Sequence, residues 1–287
     1  MEDSEQVTGS AQASDSETAA MAAAEHARRA ASFGAAAADY AQYRPDYAVD
    51  AIRWALAPVT EQATGPLRVL DLGAGTGKLA AQLTSLDLGP GAVEVVAVEP
   101  DPQMLAELRR RVPGVAAIAG RAEDIPLPDA SVDAVLAGQS AHWFDLDRAI
   151  PEMARVLRPG GVVGGLWNAD DSRVAWVVGL HEASGRRTVI PIGGETSDNE
   201  DTYDWLNEKG RTMFLPGEEA EFSHEQRRSA DSLVATLSTH SAFLIMEPAE
   251  REAALEQVRD FLAATPETAS GEFSLPMITL VTRAVRR

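Results

Sequence analysis

The chain contains no cysteine, which excludes disulfides, thiolate metal sites, iron–sulfur clusters and a cysteine nucleophile. Lysine is nearly absent too: Lys78 and Lys209 are the only two. No apolar run approaches the roughly 18 residues that a membrane span needs, and the N-terminus lacks the basic-then-apolar order of a secretory signal. Positive charge is scarce overall, with 25 Lys and Arg against 44 Asp and Glu and a formal charge of −19. Nucleic acid and anionic membranes are gripped by clustered Lys and Arg, so neither is expected as a partner. What remains is a chain of 287 residues, 45% hydrophobic, long enough for one large domain or two small ones around a sizeable core. Its basic residues are almost all Arg and alanine is abundant. That bias points to a GC-rich bacterial genome and a cytoplasmic enzyme.

Residues 1–25 are rich in Ala, Ser, Thr and acids and carry no Lys or Arg. Such a segment cannot bury enough apolar surface to offset its ordering entropy, so a disordered acidic tail is expected there, followed by one domain over 26–287. From Pro66 a strand–helix alternation begins. Leu67–Leu72, Val93–Val98, Val115–Ala119, Val132–Ala137 and Val162–Trp167 read as short apolar strands. Lys78–Leu86, Asp101–Arg111 and Leu146–Leu157 carry helical apolar spacing. Asp101 followed by Pro102 is a helix start, and Pro159-Gly160-Gly161 a helix stop. Fully apolar strands alternating with helices imply an α/β fold, a parallel sheet covered on both faces, with its core over 66–168. Beyond 169 the pattern changes. Gly193–Glu221 holds nine acids against Lys209 and Arg211, which predicts exposed loop or cap. Asp231–Phe243 and Glu250–Ala264 read as helices and Ser274–Val285 as a closing strand.

The chemistry concentrates where strands end. Val69-Leu70-Asp71-Leu72-Gly73-Ala74-Gly75-Thr76-Gly77 ends the first strand in glycines, which let backbone N–H groups approach a ligand at the sheet tip. The dinucleotide fingerprint G-x-G-x-x-G/A would need a small residue where Lys78 stands. Asp71 is also misplaced beside a pyrophosphate but suits a positively charged amino group. The methionine end of S-adenosylmethionine is one such ligand, bearing a sulfonium as well and no phosphate. Glu99 ends the second strand, where a carboxylate can accept from both ribose hydroxyls. Gly120–Pro128 follows the third strand, with Ala122 and Glu123 placed for the adenine edge. Gly138-Gln139-Ser140-Ala141-His142-Trp143-Phe144-Asp145 follows the fourth. Four loops thus gather at the carboxyl ends of parallel strands, where open α/β sheets bind ligands.

The segments VLDLGAGTGKLA, AVEPDPQML, GRAEDIPLPDASVDAVLAGQSAHWFD and ARVLRPGG together resemble the core of the class I S-adenosylmethionine-dependent methyltransferases, especially the type 11 small-molecule group. The upstream run from Phe33 through Tyr40-Ala41-Gln42-Tyr43-Arg44-Pro45-Asp46-Tyr47 is similar to the leading segment of trans-aconitate-methyltransferase-like members. The resemblance implies a Rossmann-like, seven-stranded, mostly parallel sheet with helices on both faces and its last strand, Ser274–Val285, antiparallel. Helical and acidic cap elements would occupy the C-terminal half. One departure is that Arg121 stands where many relatives carry Asp.

The cofactor set implied is Tyr40, Arg44, Asp71, Gly73, Ala74, Gly75, Glu99, Pro100, Met104, Ala122, Glu123 and Gln139, with S-adenosylhomocysteine as product. Arg44 would pair with the cofactor's carboxylate in a bidentate way. His142, just past the fourth strand, is the candidate base, since imidazole can take a proton near neutral pH. Trp143, Trp167 and Asn168 are candidates for the acceptor pocket, with Trp176, Tyr203 and Trp205 as further aromatics. The other histidines show no metal-ligand spacing, and no metal is expected. The reaction implied is methyl transfer to an O, N or C atom of a small molecule, mainly by alignment. A noncatalytic cofactor-binding or protein-interaction module is the alternative, and the sequence leaves acceptor and oligomeric state open.

Overall fold

A computed structural model describes residues 44–87, 93–185, 210–238, 243 and 246–287. The tail 1–25, Tyr40, Tyr203, Trp205 and most of the acidic run lie outside the described residues. Helix α1 (Val49–Thr60) precedes strand β1 (Arg68–Leu72). Then come α2 (Lys78–Ser85), β2 (Glu94–Glu99), α3 (Pro102–Arg111), β3 (Ala116–Ala119) and β4 (Val132–Gly138). A single 3₁₀ turn at Ala141–Trp143 leads into α4 (Leu146–Val156), β5 (Leu157–Asp170) and α5 (Ala175–Ala183). The chain closes with β6 (Glu218–Ser229), α6 (Ala230–Ser238), α7 (Pro248–Ala264) and β7 (Glu272–Val285).

The strands form one seven-stranded sheet in the order β3-β2-β1-β4-β5-β7-β6. Strands β1 to β5 pair in parallel, and β7 runs antiparallel between β5 and β6. The order reverses between β1 and β4, so the loops after these strands diverge and leave a crevice at their carboxyl ends. Leu70, Leu72, Val96, Val135 and Val163 pack one face against Ile150 and Met153 of α4. Val69, Val95, Ala97, Leu136 and Leu166 pack the other against α1, α2 and α3 through Ile52, Leu56, Leu83 and Leu108. A third apolar cluster joins α5, α6 and α7 to the start of β7 through Leu180, Leu237, Val258 and Leu275. Among the described residues no helix is long and apolar enough to cross a membrane.

Two expectations need correction. The acidic run was expected to be loop or cap through Glu221, yet Glu218–Glu221 belongs to β6. Among the described residues this strand lies at the sheet edge, paired with β7 alone, and its acids Glu219, Glu221 and Glu225 fall on the exposed face of an alternating pattern. Edge strands are commonly protected in this way from pairing with other chains. The fifth strand, expected at Val162–Trp167, runs from Leu157 to Asp170, with a register shift against β4 that accommodates Pro159-Gly160-Gly161.

Arg155 on α4 ties down the loop after β3. Its guanidinium pairs with Glu152 through Nε and Nη2 (2.7 Å each) and donates to Asp129 Oδ1 (2.8 Å). It also donates to the carbonyls of Leu127 and Ile125, both at 2.8 Å. Its forked geometry cannot be copied by an ammonium. R155K is expected to cost about 2 kcal/mol of stability, the scale of lost charge-assisted hydrogen bonds. Urea denaturation of the two proteins checks this; superimposable curves would show that the clamp contributes nothing.

Candidate active site

A cleft of about 740 Å³ opens across the carboxyl ends of β1, β2, β4 and β5 and continues beneath β7 and α6. Its near half is built from the glycine loop. Gly73 and Gly75 have positive φ (68° and 56°), and the N–H groups of Gly73 and Ala74 donate to the Val98 carbonyl (2.9 and 3.1 Å). A Cβ on Gly73 would lie 2.7 Å from Cβ of Ser140, so the loops after β1 and β4 touch there. Ser140 Oγ reinforces the contact by donating to the Leu72 carbonyl (2.8 Å). Gln139 takes positive φ (54°), a strained conformation for a residue with a side chain. Its Nε2 donates to the Asn168 carbonyl (3.0 Å).

Two buried carboxylates face this loop. Asp71 is 1% exposed, and its Oδ2 accepts from the Ala80 N–H (2.9 Å). Burial, with the Glu99 charge adding to it, pushes the Asp71 carboxyl up to about 7. Glu99 accepts from the N–H of Gly75 at Oε2 and of Asp101 at Oε1, both 2.8 Å, and burial raises its pKa as well. Asp101 caps α3 by accepting from the N–H groups of Gln103 and Met104. The cations lining the cleft are Arg44, Lys78, Arg121 and Arg228. Lys78 is engaged by Asp46 (2.9 Å) and Arg121 contacts Glu123 (3.4 Å). A pyrophosphate would meet paired acids here with little free positive charge, whereas an amino group and a sulfonium would be matched. The donor set fits S-adenosylmethionine.

The structure brings Arg44, Asp71, Gly73, Ala74, Gly75, Glu99, Pro100, Met104, Ala122, Glu123 and Gln139 to the cleft. It places His142, Trp143 and Asn168 there too. His142 is exposed at the mouth, its ring 4.9 Å from that of Trp143. Glu123 Oε1 accepts from the Asp145 N–H (2.8 Å). The Asn168 amide is committed to structure. Its Nδ2 donates to the Asp46 carbonyl (3.0 Å), and its Oδ1 accepts from Thr279 Oγ1 (2.7 Å). Thr279 Oγ1 in turn accepts from the Ala48 N–H (2.9 Å). These bonds hold the segment before α1 across the sheet end.

Trp167 is not brought to the cleft. Residues along a strand alternate between faces, so it points opposite to Asn168 and lies in the core, 3% exposed, against Gly165. Trp176 packs edge-on against Phe273 instead (5.8 Å between ring centroids). The sequence reading missed the far half of the cleft. Its walls are Asp170 at the end of β5, His181 on α5, Arg228 on β6, Leu233 and Leu237 on α6, and Leu275 and Met277 on β7. Burial lowers the Arg228 pKa, against the opposing pull of Asp170 and Asp46. Among the described residues no group of three or more His, Asp or Glu converges to hold a metal.

Strand order and site together define a class I S-adenosylmethionine-dependent methyltransferase. The methyltransferase domain family matches residues 70–164. An uncharacterized methyltransferase of Mycobacterium tuberculosis is 40% identical over 262 residues, covering 88% of this chain and 95% of that one. The chain belongs to this methyltransferase family. Among solved structures, a protein of Anaeromyxobacter dehalogenans assigned as a type II methyltransferase superposes with a TM-score of 0.60 at 28% identity, over 85% of this chain and 98% of that one. A methyltransferase structure from Anabaena variabilis gives 0.58 at 21% identity, over 84% and 98% of the two chains, and shares the fold.

Proposed function

We propose that the chain methylates an O, N or C atom of a small molecule held in the far half of the cleft. The observation that carries this reading is the continuity of the cleft. It runs from the glycine loop past His142 and Trp143 into a chamber walled by Leu233, Leu237, Leu275 and Met277. Apolar walls interrupted by a few polar groups suit a compact organic molecule.

In this reading Asp71 meets the cofactor's amino group, Arg44 its carboxylate and Glu99 its ribose hydroxyls. Met104, Pro100, Ala122 and Glu123 flank the adenine. The backbone of Gly73, Ala74 and Gly75, with Gln139, lines the path between. Tyr40 is proposed to cover the cofactor from the segment outside the described residues. The cofactor supplies an already activated methyl group on its sulfonium. The protein's task is therefore to align acceptor and methyl and to exclude water, which is proximity catalysis. His142 contacts the acceptor where the near and far halves meet.

The test is incubation of the full chain with deuterated-methyl S-adenosylmethionine and a mycobacterial metabolite extract, read by untargeted mass spectrometry. Label on a small molecule is expected. Binding of S-adenosylhomocysteine without any labelled product would instead make the chain a noncatalytic binding module.

A further inference from the structure

Resting on the reading that Arg44 meets the cofactor's carboxylate, we propose that Gln82 is the positioning residue that holds Arg44 there, by gripping the peptide groups of Tyr47. Arg44, Pro45 and Tyr47 line the cleft, yet residues 44–48 form neither helix nor strand. Their backbone groups therefore depend on side chains for partners. The Tyr47 N–H donates to Gln82 Oε1 (2.9 Å), and Gln82 Nε2 donates to the Tyr47 carbonyl (2.8 Å). Asn168 Nδ2 donates to the Asp46 carbonyl, and the Ala48 N–H donates to Thr279 Oγ1. The peptide unit joining Asp46 to Tyr47 is thus held by Gln82 at its N–H and by Asn168 at its carbonyl. The next unit is held by Gln82 at its carbonyl and by Thr279 at its N–H. Each plane is fixed by two opposed bonds, one from α2 and one from the sheet.

Arg44 inherits that fixity through Pro45. The pyrrolidine ring locks its own φ, and its bulk keeps Arg44 out of the helical region, so the link is stiff. The Tyr47 side chain adds a stop. It is 7% exposed and packs on Gly138, where a Cβ would lie 2.6 Å from the Tyr47 hydroxyl. Gln82 also refers both ends of the cofactor's amino-acid group to one helix. Asp71, assigned to the amino group, accepts from the Ala80 N–H of α2 (2.9 Å), and Gln82 stands on the same helix. Without Gln82 each peptide unit keeps one bond, and its other polar group must turn to find a new partner. Arg44 then moves off the carboxylate. Glu99 at the end of β2 and Ala122 beyond β3, assigned to ribose and adenine, stand on other elements and stay in place.

The test is calorimetry with S-adenosylhomocysteine and with its decarboxylated form, which keeps the amino group and the adenosine. Q82M, close to glutamine in length, should weaken S-adenosylhomocysteine about tenfold, the scale of two lost hydrogen bonds. The decarboxylated ligand should bind Q82M within about twofold of wild type, because it has nothing for Arg44 to hold. Q82M combined with R44A should bind S-adenosylhomocysteine no more weakly than R44A alone, since both changes act through one contact. Thermal unfolding checks that each variant folds; should Q82M not, Q82A, with its higher helix propensity, carries the same comparison. Equal weakening of both ligands would make Gln82 a support of the fold alone and overturn the proposal. An affinity of Q82M for S-adenosylhomocysteine within about twofold of wild type would overturn it too. R44A separates this failure from that of the underlying reading. If R44A weakens S-adenosylhomocysteine and Q82M does not, only the positioning role is wrong. If R44A binds both ligands as wild type does, the carboxylate lies elsewhere and both fail.

Discussion

E99Q is expected to weaken S-adenosylhomocysteine binding by about 10²-fold, since hydrogen bonds to a charged group are worth roughly 1.5–3 kcal/mol each. The Glu99 carboxylate has about four acceptor sites, and the N–H groups of Gly75 and Asp101 take one on each oxygen. The remaining sites are free for the two ribose hydroxyls. An amide keeps one oxygen and turns the other into a donor, so one of those N–H groups would then face an NH₂. Either outcome harms the site: the glycine loop shifts, or the cap residue of α3 does. Folding stability should fall by about 1–2 kcal/mol from the unpaired N–H, partly offset because burial disfavours the charged form of Glu99. Calorimetric titration gives the affinity and thermal unfolding the stability. Equal affinities for E99Q and wild type would move the ribose contact elsewhere and leave the cofactor orientation without support.

The half of the cleft built from the glycine loop was legible because its signals are local. Each of β1, β2 and β4 is an apolar run that ends at the cleft, so Asp71, Glu99 and Gln139 could be placed there from sequence neighbours alone. Capping worked for the same reason: Asp101 and Pro102 start α3 within one turn. The far half carries no such signal. His181 and Asp170 are separated by 11 positions, and Arg228 and Met277 reach the same chamber from strands far along the chain. Only the antiparallel insertion of β7 between β5 and β6 brings them together. Strand β6, with the sequence EEAEFSHEQRRS, has charges on both faces, and without its partner in view it reads as loop. Glu218 illustrates this: alone it is one acid in an acidic run, yet it bonds Arg283 across the ladder, and that guanidinium stacks 3.9 Å over the Trp54 ring. Trp167 failed for a subtler reason. Neighbours along a strand face opposite ways, so Trp167 and Asn168 cannot both reach the cleft, and which of them does depends on which sheet face carries the core.

Cofactor affinity is expected to rise about tenfold between about pH 6 and about pH 8 and then to level off, with release of a proton below about pH 7. The group responsible is Asp71, raised to about 7 from an ordinary value of 3.8 because it is fully buried near Glu99. A raised acid keeps its proton in the folded protein when the unfolded chain has already lost it. Its contribution to stability is therefore complete below about 3.8 and declines as pH climbs to about 7. A ligand bearing a positive amino group favours the carboxylate form, so binding must expel the proton wherever it is still held. At the higher pH the proton is already gone and no such cost remains. Titrating S-adenosylhomocysteine by calorimetry in two buffers of different ionisation enthalpy measures the proton count directly. D71N should remove both the proton release and the pH dependence, holding affinity at the low level of the protonated form. It should also raise the thermal stability of the unliganded protein above about pH 7, where the wild type carries a buried carboxylate that the Ala80 N–H offsets only in part. Should the proton release persist in D71N and vanish in E99Q, the titrating group is Glu99, and the amino group's partner must be sought elsewhere on the glycine loop.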